Sequence, residues 1–207
     1  MKFILVIVAV IISGIMVLYS CTENQVNNQK NNDTEKRAST LPSTETNYLE
    51  TGKELSMRTK SSLAKYLVTA ISERGAEGAV EFCNTKAIPV TDSMSLELDA
   101  KIKRVSDQPR NPANLANEAE FSYIKKWKDA HASGEEQPPF VTESNGKMVG
   151  YYPIITNQMC MQCHGKPDKE INMATLKKIK KLYPTDKAVG YAENEIRGIF
   201  VIEMNKQ

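Results

Sequence analysis

The sequence predicts an α+β fold. Apolar residues recur at helical spacing through the first half, the second half alternates like strands around an Asn-Gly turn, and the two kinds of segment are segregated along the chain. The first helix is predicted from Asn47, which can cap it with Glu50 closing a capping box. Leu55, Ser62, Leu63, Tyr66, Leu67, Ala70 and Ile71 fall on one face, and Gly75 fits the C-terminal cap. A second helix runs from about Ala76 to Ile88 and stops before Pro89. Thr91 to Leu98 reads as a short third helix, and Lys101 to Ser106 as a strand. After the Pro-rich loop Asp107 to Asn114, a long helix is predicted over Leu115 to Ala132, with Phe121, Ile124, Trp127 and His131 on one stripe.

Two strands, Phe140 to Glu143 and Lys147 to Ile155, flank Ser144-Asn145-Gly146, a hairpin signal. The next segment reads as a loop, followed by a short helix from about Lys169 to Leu182 that ends at Pro184. Tyr191 to Met204 reads as a second hairpin, with Ile199 to Ile202 a buried strand.

The N-terminus has a different character. Met1-Lys2 precedes an apolar run from Phe3 to Tyr19, an export-signal pattern. Ser20-Cys21 follows, like a bacterial lipoprotein processing site, so that residues 1–20 would be removed and Cys21 acylated. The competing reading is an uncleaved signal anchor. Both leave the rest of the chain outside the cytoplasm and attached to the membrane. Residues 21–47 are polar and predict a disordered tether, leaving 48–207 as one domain. A net charge of +2 offers no basic footprint for nucleic acid.

The chemistry is concentrated at Cys160-Met161-Gln162-Cys163-His164. C-x-x-C-H is the attachment signature of c-type haem. Two thiols on one turn can each add to a porphyrin vinyl group, and the following imidazole reaches the iron as proximal ligand. Competing readings are a structural disulfide, a redox pair or half a zinc site, and zinc would want a second pair of ligands. One covalently attached haem c is the expected cofactor. Of the four cysteines, Cys21 goes to lipid and Cys160 and Cys163 to haem. That leaves Cys83, on the inward face of the second helix with Val80 and Ala87. It reads either as an inert core thiol or as a thiolate ligand to the iron opposite His164.

The elements Ala79-Val80-Glu81-Phe82-Cys83, Arg104-Val105-Ser106, Arg110-Asn111-Pro112-Ala113-Asn114 and Cys160 to His164 resemble, in order and spacing, a family of extracytoplasmic single-haem c-type domains with a PAS-like fold, long catalogued as a domain of unknown function. The likeness spans about residues 50–205. It implies a PAS-like fold and a six-coordinate haem whose His and Cys axial ligands map to His164 and Cys83. It also implies a sensing role. The chain departs from the family pattern between Arg104 and Arg110, at Asp107 and Gln108-Pro109.

Other ligands stay open. His131 is the other histidine of the chain, and Met94, Met148, Met159 and Met161 are thioether candidates. Arg104 and Arg110 are candidate partners for haem propionates, or solvated loop arginines. Tyr151, Tyr152 and Pro153 either wall the haem pocket or pack the sheet. The reading is a membrane-tethered, extracytoplasmic monohaem cytochrome c-like protein that senses redox state or a small ligand, or carries single electrons, with an unidentified redox or signalling protein as partner. It is not read as an enzyme. The alternatives are a haem enzyme such as a peroxidase, which needs an open iron position and a distal acid–base residue, and a haem-free PAS-like module that binds a small molecule.

Overall fold

The computed structural model describes residues 43–206. The signal-like segment, Cys21 and most of the expected tether lie outside the described residues. The first helix, α1, spans Ser43–Thr85, with a break at Gly75 (φ 68°, ψ −174°). This conformation is open to glycine almost alone, so the predicted cap is realised as a kink between two helical halves. The helix starts upstream of the expected Asn47, at Ser43. Glu50 pairs with Lys53 at 3.7 Å instead of closing a capping box.

The second half of α1 ends at Thr85, short of the predicted Ile88, and α2 covers Ala87–Glu97 rather than starting at Thr91. Pro89 is the third residue of α2, where its missing N–H costs no intrahelical bond. It therefore sits inside the start of a helix and does not stop one. Strand β1 is Lys101–Val105. A single 3-10 turn, Pro112–Asn114, follows, capped by the Asn111 side chain. Helix α3 is Glu118–Ala132, three residues shorter than predicted. Asn117 caps it through a reciprocal capping box with Glu120. Its buried stripe is Ile124 and Trp127, whereas Phe121 and His131 are exposed.

Strands β2 (Phe140–Ser144) and β3 (Lys147–Ile155) form the predicted hairpin. Its two-residue turn has positive φ at both Asn145 and Gly146, the geometry that matches strand twist. The expected haem loop is in part a helix, α4 (Gln158–His164), and α5 spans Met173–Leu182. The predicted C-terminal hairpin is instead one strand, β4 (Ile196–Asn205), preceded by irregular chain. It inserts between β1 and β3, so the antiparallel order is β1-β4-β3-β2.

A strand with neighbours on both edges and packing on both faces reads as a continuous apolar run, and β4 shows why. Phe200, Ile202 and Met204 join Tyr48, Ile102, Val141, Met148 and Tyr152 on one face, against the first half of α1. Ile196, Ile199 and Val201 join Val105, Val149 and Tyr151 on the other, against Ile124 and Trp127 of α3. A third cluster, Val80, Ile171, Leu176, Ile179 and Tyr183, locks the second half of α1 onto α5, with Cys163 packed beside it.

Candidate functional site

One cavity of about 250 Å³ lies where α1 on both sides of its kink, the end of β1, the start of β4 and helix α4 converge. Cys83, Arg104, Arg110, Cys160, Cys163 and His164 all line it. Residues up to 81 positions apart in sequence (83 to 164) thus line one cavity. Its apolar wall includes Leu67, Ile71, Val80 and Ile154. A larger surface groove of about 850 Å³ between α1 and α2 carries no cysteine or histidine, and offers nothing comparable chemically.

The local sequence explains how α4 presents its groups. Asn157 caps the helix by accepting from the Cys160 backbone N–H at 3.3 Å, and its own N–H lies 3.4 Å from Cys160 Sγ. Cys160 and Cys163 are free thiols, one turn apart. Burial pushes the Cys163 thiol up to about 11, with nearby Arg110 pulling the other way. His164 closes the helix. Its Nδ1 lies 2.7 Å from the Ala188 carbonyl oxygen, which can only accept, so Nδ1 carries the proton. Nε2 is then the lone-pair nitrogen, as a metal ligand requires. Burial, and then Arg110 and Arg197, hold the imidazole well below its usual range, so it is neutral and able to ligate.

Cys83 sits on the second half of α1 with its thiol on the cavity. Burial raises its pKa, while Arg104 and then Arg110 favour the thiolate. The Arg104 Nη2 donates to the Ala87 carbonyl at 3.3 Å, but its Nε is buried without a partner. A buried guanidinium N–H aimed at no acceptor is costly, and a carboxylate-bearing occupant would satisfy it. Arg110 is engaged differently. Its Nε and Nη2 each donate to the Asp186 carboxylate at 3.2 Å, and Nη2 also donates to the carbonyls of Cys163 at 2.5 Å and Ala188 at 3.1 Å.

The other candidates are dispersed. His131 is exposed and lines a separate cleft with Lys128 and Tyr191. Met94 and Met161 are buried away from the cavity and Met148 packs in the sheet core, whereas Met159 lines the cavity. Tyr151 and Tyr152 pack the two faces of the sheet, Tyr152 donating to the Leu49 carbonyl at 2.9 Å. Asp107 turns to Lys128 Nζ at 2.6 Å.

Sequence reasoning missed Arg197 and Tyr183, which also line the cavity. The Arg197 Nη1 donates to Ser106 Oγ at 2.7 Å, and its guanidinium lies 5.2 Å from the Tyr191 ring centroid. A lone arginine at the head of the apolar run Ile199 to Ile202 was the available signal, because charge in a buried strand requires partners. Gly198 beside it has φ 159°, and an added Cβ would meet the Val105 carbonyl oxygen at 2.3 Å, so the strand crosses β1 too closely for a side chain.

The arrangement is an α+β domain with a helix-borne C-x-x-C-H, a facing cysteine and buried arginines around one cavity. The family model described as Tll0287-like matches residues 19–205, and the chain belongs to the Tll0287-like family. Among solved structures, the chain is similar to one titled as the cyanobacterial heme-protein Tll0287. The TM-score is 0.56 at 14% identity, covering 78% of this chain and 96% of that one. No curated protein matches the chain.

Proposed function

We propose that this protein is a monohaem c-type cytochrome-like protein. Cys160 and Cys163 would hold one haem covalently, with His164 as proximal ligand and Cys83 as the second axial ligand. The observation that carries the reading is the convergence of C-x-x-C-H and Cys83 on one cavity, with the Nδ1–H of His164 fixed on Ala188. The buried, unpartnered Nε of Arg104 fits a propionate at the cavity wall. The family membership and the haem-protein neighbour support the cofactor.

When bound, the haem supplies a one-electron Fe(III)/Fe(II) couple and, if a ligand leaves, a site for a small molecule. The chain's own groups set the conditions. Arg104 and Arg110 favour a charged Cys83, whose thiolate donates density that stabilises the ferric state. The apolar wall of Leu67, Ile71 and Val80 lowers the local polarity, and this strengthens the charge interactions beside it. We read the domain as PAS-like, tethered outside the cytoplasm through Cys21, and acting as a redox or ligand sensor or as a single-electron carrier rather than as an enzyme.

The test is a pyridine haemochrome spectrum with haem staining on denaturing gels. Wild type should show one haem per chain that survives denaturation, and Cys160→Ala with Cys163→Ala should lose the stained band. A stained band in the double variant would sink the assignment.

A further inference from the structure

Resting on the haem reading above, we propose that Arg110 is a positioning residue that sets the donor strength of the His164 imidazole, acting through the Ala188 carbonyl and balanced by Asp186, rather than a clamp for a haem carboxylate. The geometry is specific. The Ala188 carbonyl accepts two bonds, one from His164 Nδ1 at 2.7 Å and one from Arg110 Nη2 at 3.1 Å. The same Nη2 also reaches the Cys163 carbonyl at 2.5 Å, so one guanidinium grips the turn before the imidazole and the acceptor beyond it. Asp186 completes the set. Its carboxylate takes Nε and Nη2 of Arg110 at 3.2 Å each, and Oδ1 also accepts the Ala188 N–H at 2.8 Å.

All of this is out of water. Arg110 is 9% exposed, and its side chain and that of Asp186 are 10% and 9% exposed. The segment is tied on both sides, by Lys187 N–H to the Pro109 carbonyl at 3.2 Å and by Tyr191 N–H to the His164 carbonyl at 2.9 Å. The Ala188 carbonyl therefore cannot follow a drifting imidazole, and the imidazole orients to it.

The physical consequence follows from competition for one acceptor. A cationic donor on a carbonyl oxygen draws density from it and weakens it as acceptor for a second N–H. The Nδ1–H bond to Ala188 then leaves the imidazole less imidazolate-like and a weaker donor to ferric iron. The positive charge of Arg110 acts on the iron in the same direction, disfavouring Fe(III), and outweighs its lesser support of the Cys83 thiolate, in which Arg104 leads. Asp186 opposes both effects. Outer partners of a ligating histidine act on the metal in this way. Arg197, with its Nε 3.4 Å from His164 Nδ1, adds charge but no hydrogen bond, because the Nδ1 proton already points at Ala188.

The experiment is a spectroelectrochemical titration of the haem-loaded full chain, with the ferric electron paramagnetic resonance spectrum recorded alongside. Arg110→Gln should shift the Fe(III)/Fe(II) equilibrium at least tenfold toward the ferric state, about 59 mV downward for one electron, and should change the g-value spread. Asp186→Asn should move the potential upward. Arg110→Lys, which keeps the charge but cannot span the same acceptors, should fall between Arg110→Gln and wild type. An unchanged potential and g-value spread in Arg110→Gln overturns the proposal. So does a shift of the same sign in Arg110→Gln and Asp186→Asn, which marks general loosening. Should Arg110→Gln not accumulate, the sign of Asp186→Asn decides alone. Wild type lacking a haemochrome spectrum would overturn the haem reading itself and this inference with it.

Discussion

Cys83 shows how one side chain takes its chemistry from its surroundings. On its own it is a buried thiol, raised in pKa by loss of water. What distinguishes it from an inert core thiol is the pair of guanidinium groups, Arg104 and Arg110, that favour its anion, and its place on the cavity shared with His164. A packing cysteine needs neither. Coordination to a metal ion would drive the deprotonation that burial opposes and the arginines favour. Replacing a thiolate ligand removes negative charge that favours Fe(III), so Cys83→Ala should raise the reduction potential by more than about 59 mV, a tenfold change. It should also abolish the thiolate-to-iron charge-transfer absorption of the ferric protein. Optical redox titration of the two proteins checks both outcomes, and identical spectra and potentials would return Cys83 to the role of a packing residue. The same scale shows what the sequence could reveal about the site. C-x-x-C-H states its chemistry by spacing, and Cys83 emerges from counting thiols. Arg197 and the Arg110–Asp186 pair stay hidden, because their partners are backbone carbonyls and residues tens of positions away, and no local pattern records such bonds.

Among the elements, α1 carries the decisive geometry. Its first half packs on the sheet through Tyr48, Leu49 and Leu55, while Val80 on its second half packs against α5. The change of partner occurs at Gly75, whose φ of 68° and ψ of −174° no L side chain adopts easily. Gly75→Ala should therefore cost on the order of 1–3 kcal/mol. Urea unfolding should show a lower midpoint with little change in slope. A midpoint equal to wild type would mean that the kink is not held in solution. The break at Gly75 was legible in the sequence as a helix end, because glycine at the end of an apolar stripe is a strong mark. Strand β3 and the Asn145-Gly146 turn were legible for the same reason, since a period of two and a turn dipeptide are local signals. The failures are as physical. In sequence Pro89 reads as a stop, although the first turn of a helix tolerates it. In sequence β4 reads as half of a hairpin, because its partners, β1 and β3, are remote and pairing of that kind leaves no mark on the strand itself.

At the scale of the whole molecule, the sheet core and the site are built by different parts of the chain. The two sheet-facing clusters close on β4, whose Ile199 and Ile202 have no exposed surface. The cavity instead takes four residues each from α1 and α4, two each from β1 and β4, and others from the loops between them. Among the described residues, no disulfide joins these pieces. A haem bonded to Cys160 and Cys163, ligated by His164 and Cys83 and bounded by Leu67, Ile71 and Ile154, would link α4 to α1 and bury apolar surface on both sides. Its macrocycle exceeds any single side chain, and full burial of a large side chain contributes roughly 1.5–3 kcal/mol. The haem-loaded protein should therefore exceed the Cys160→Ala with Cys163→Ala variant by at least about 3 kcal/mol in unfolding free energy. The difference should appear in far-ultraviolet circular dichroism of α1 and α5 before it appears in tryptophan fluorescence, because Trp127 belongs to α3 on the opposite side of the sheet. If the two probes report one coincident transition shifted by the full amount, the site and the sheet unfold as a single unit. If the stability of the two proteins is equal, the second half of α1 is held by Val80 and the α5 cluster alone, and the cofactor is a passenger in the fold.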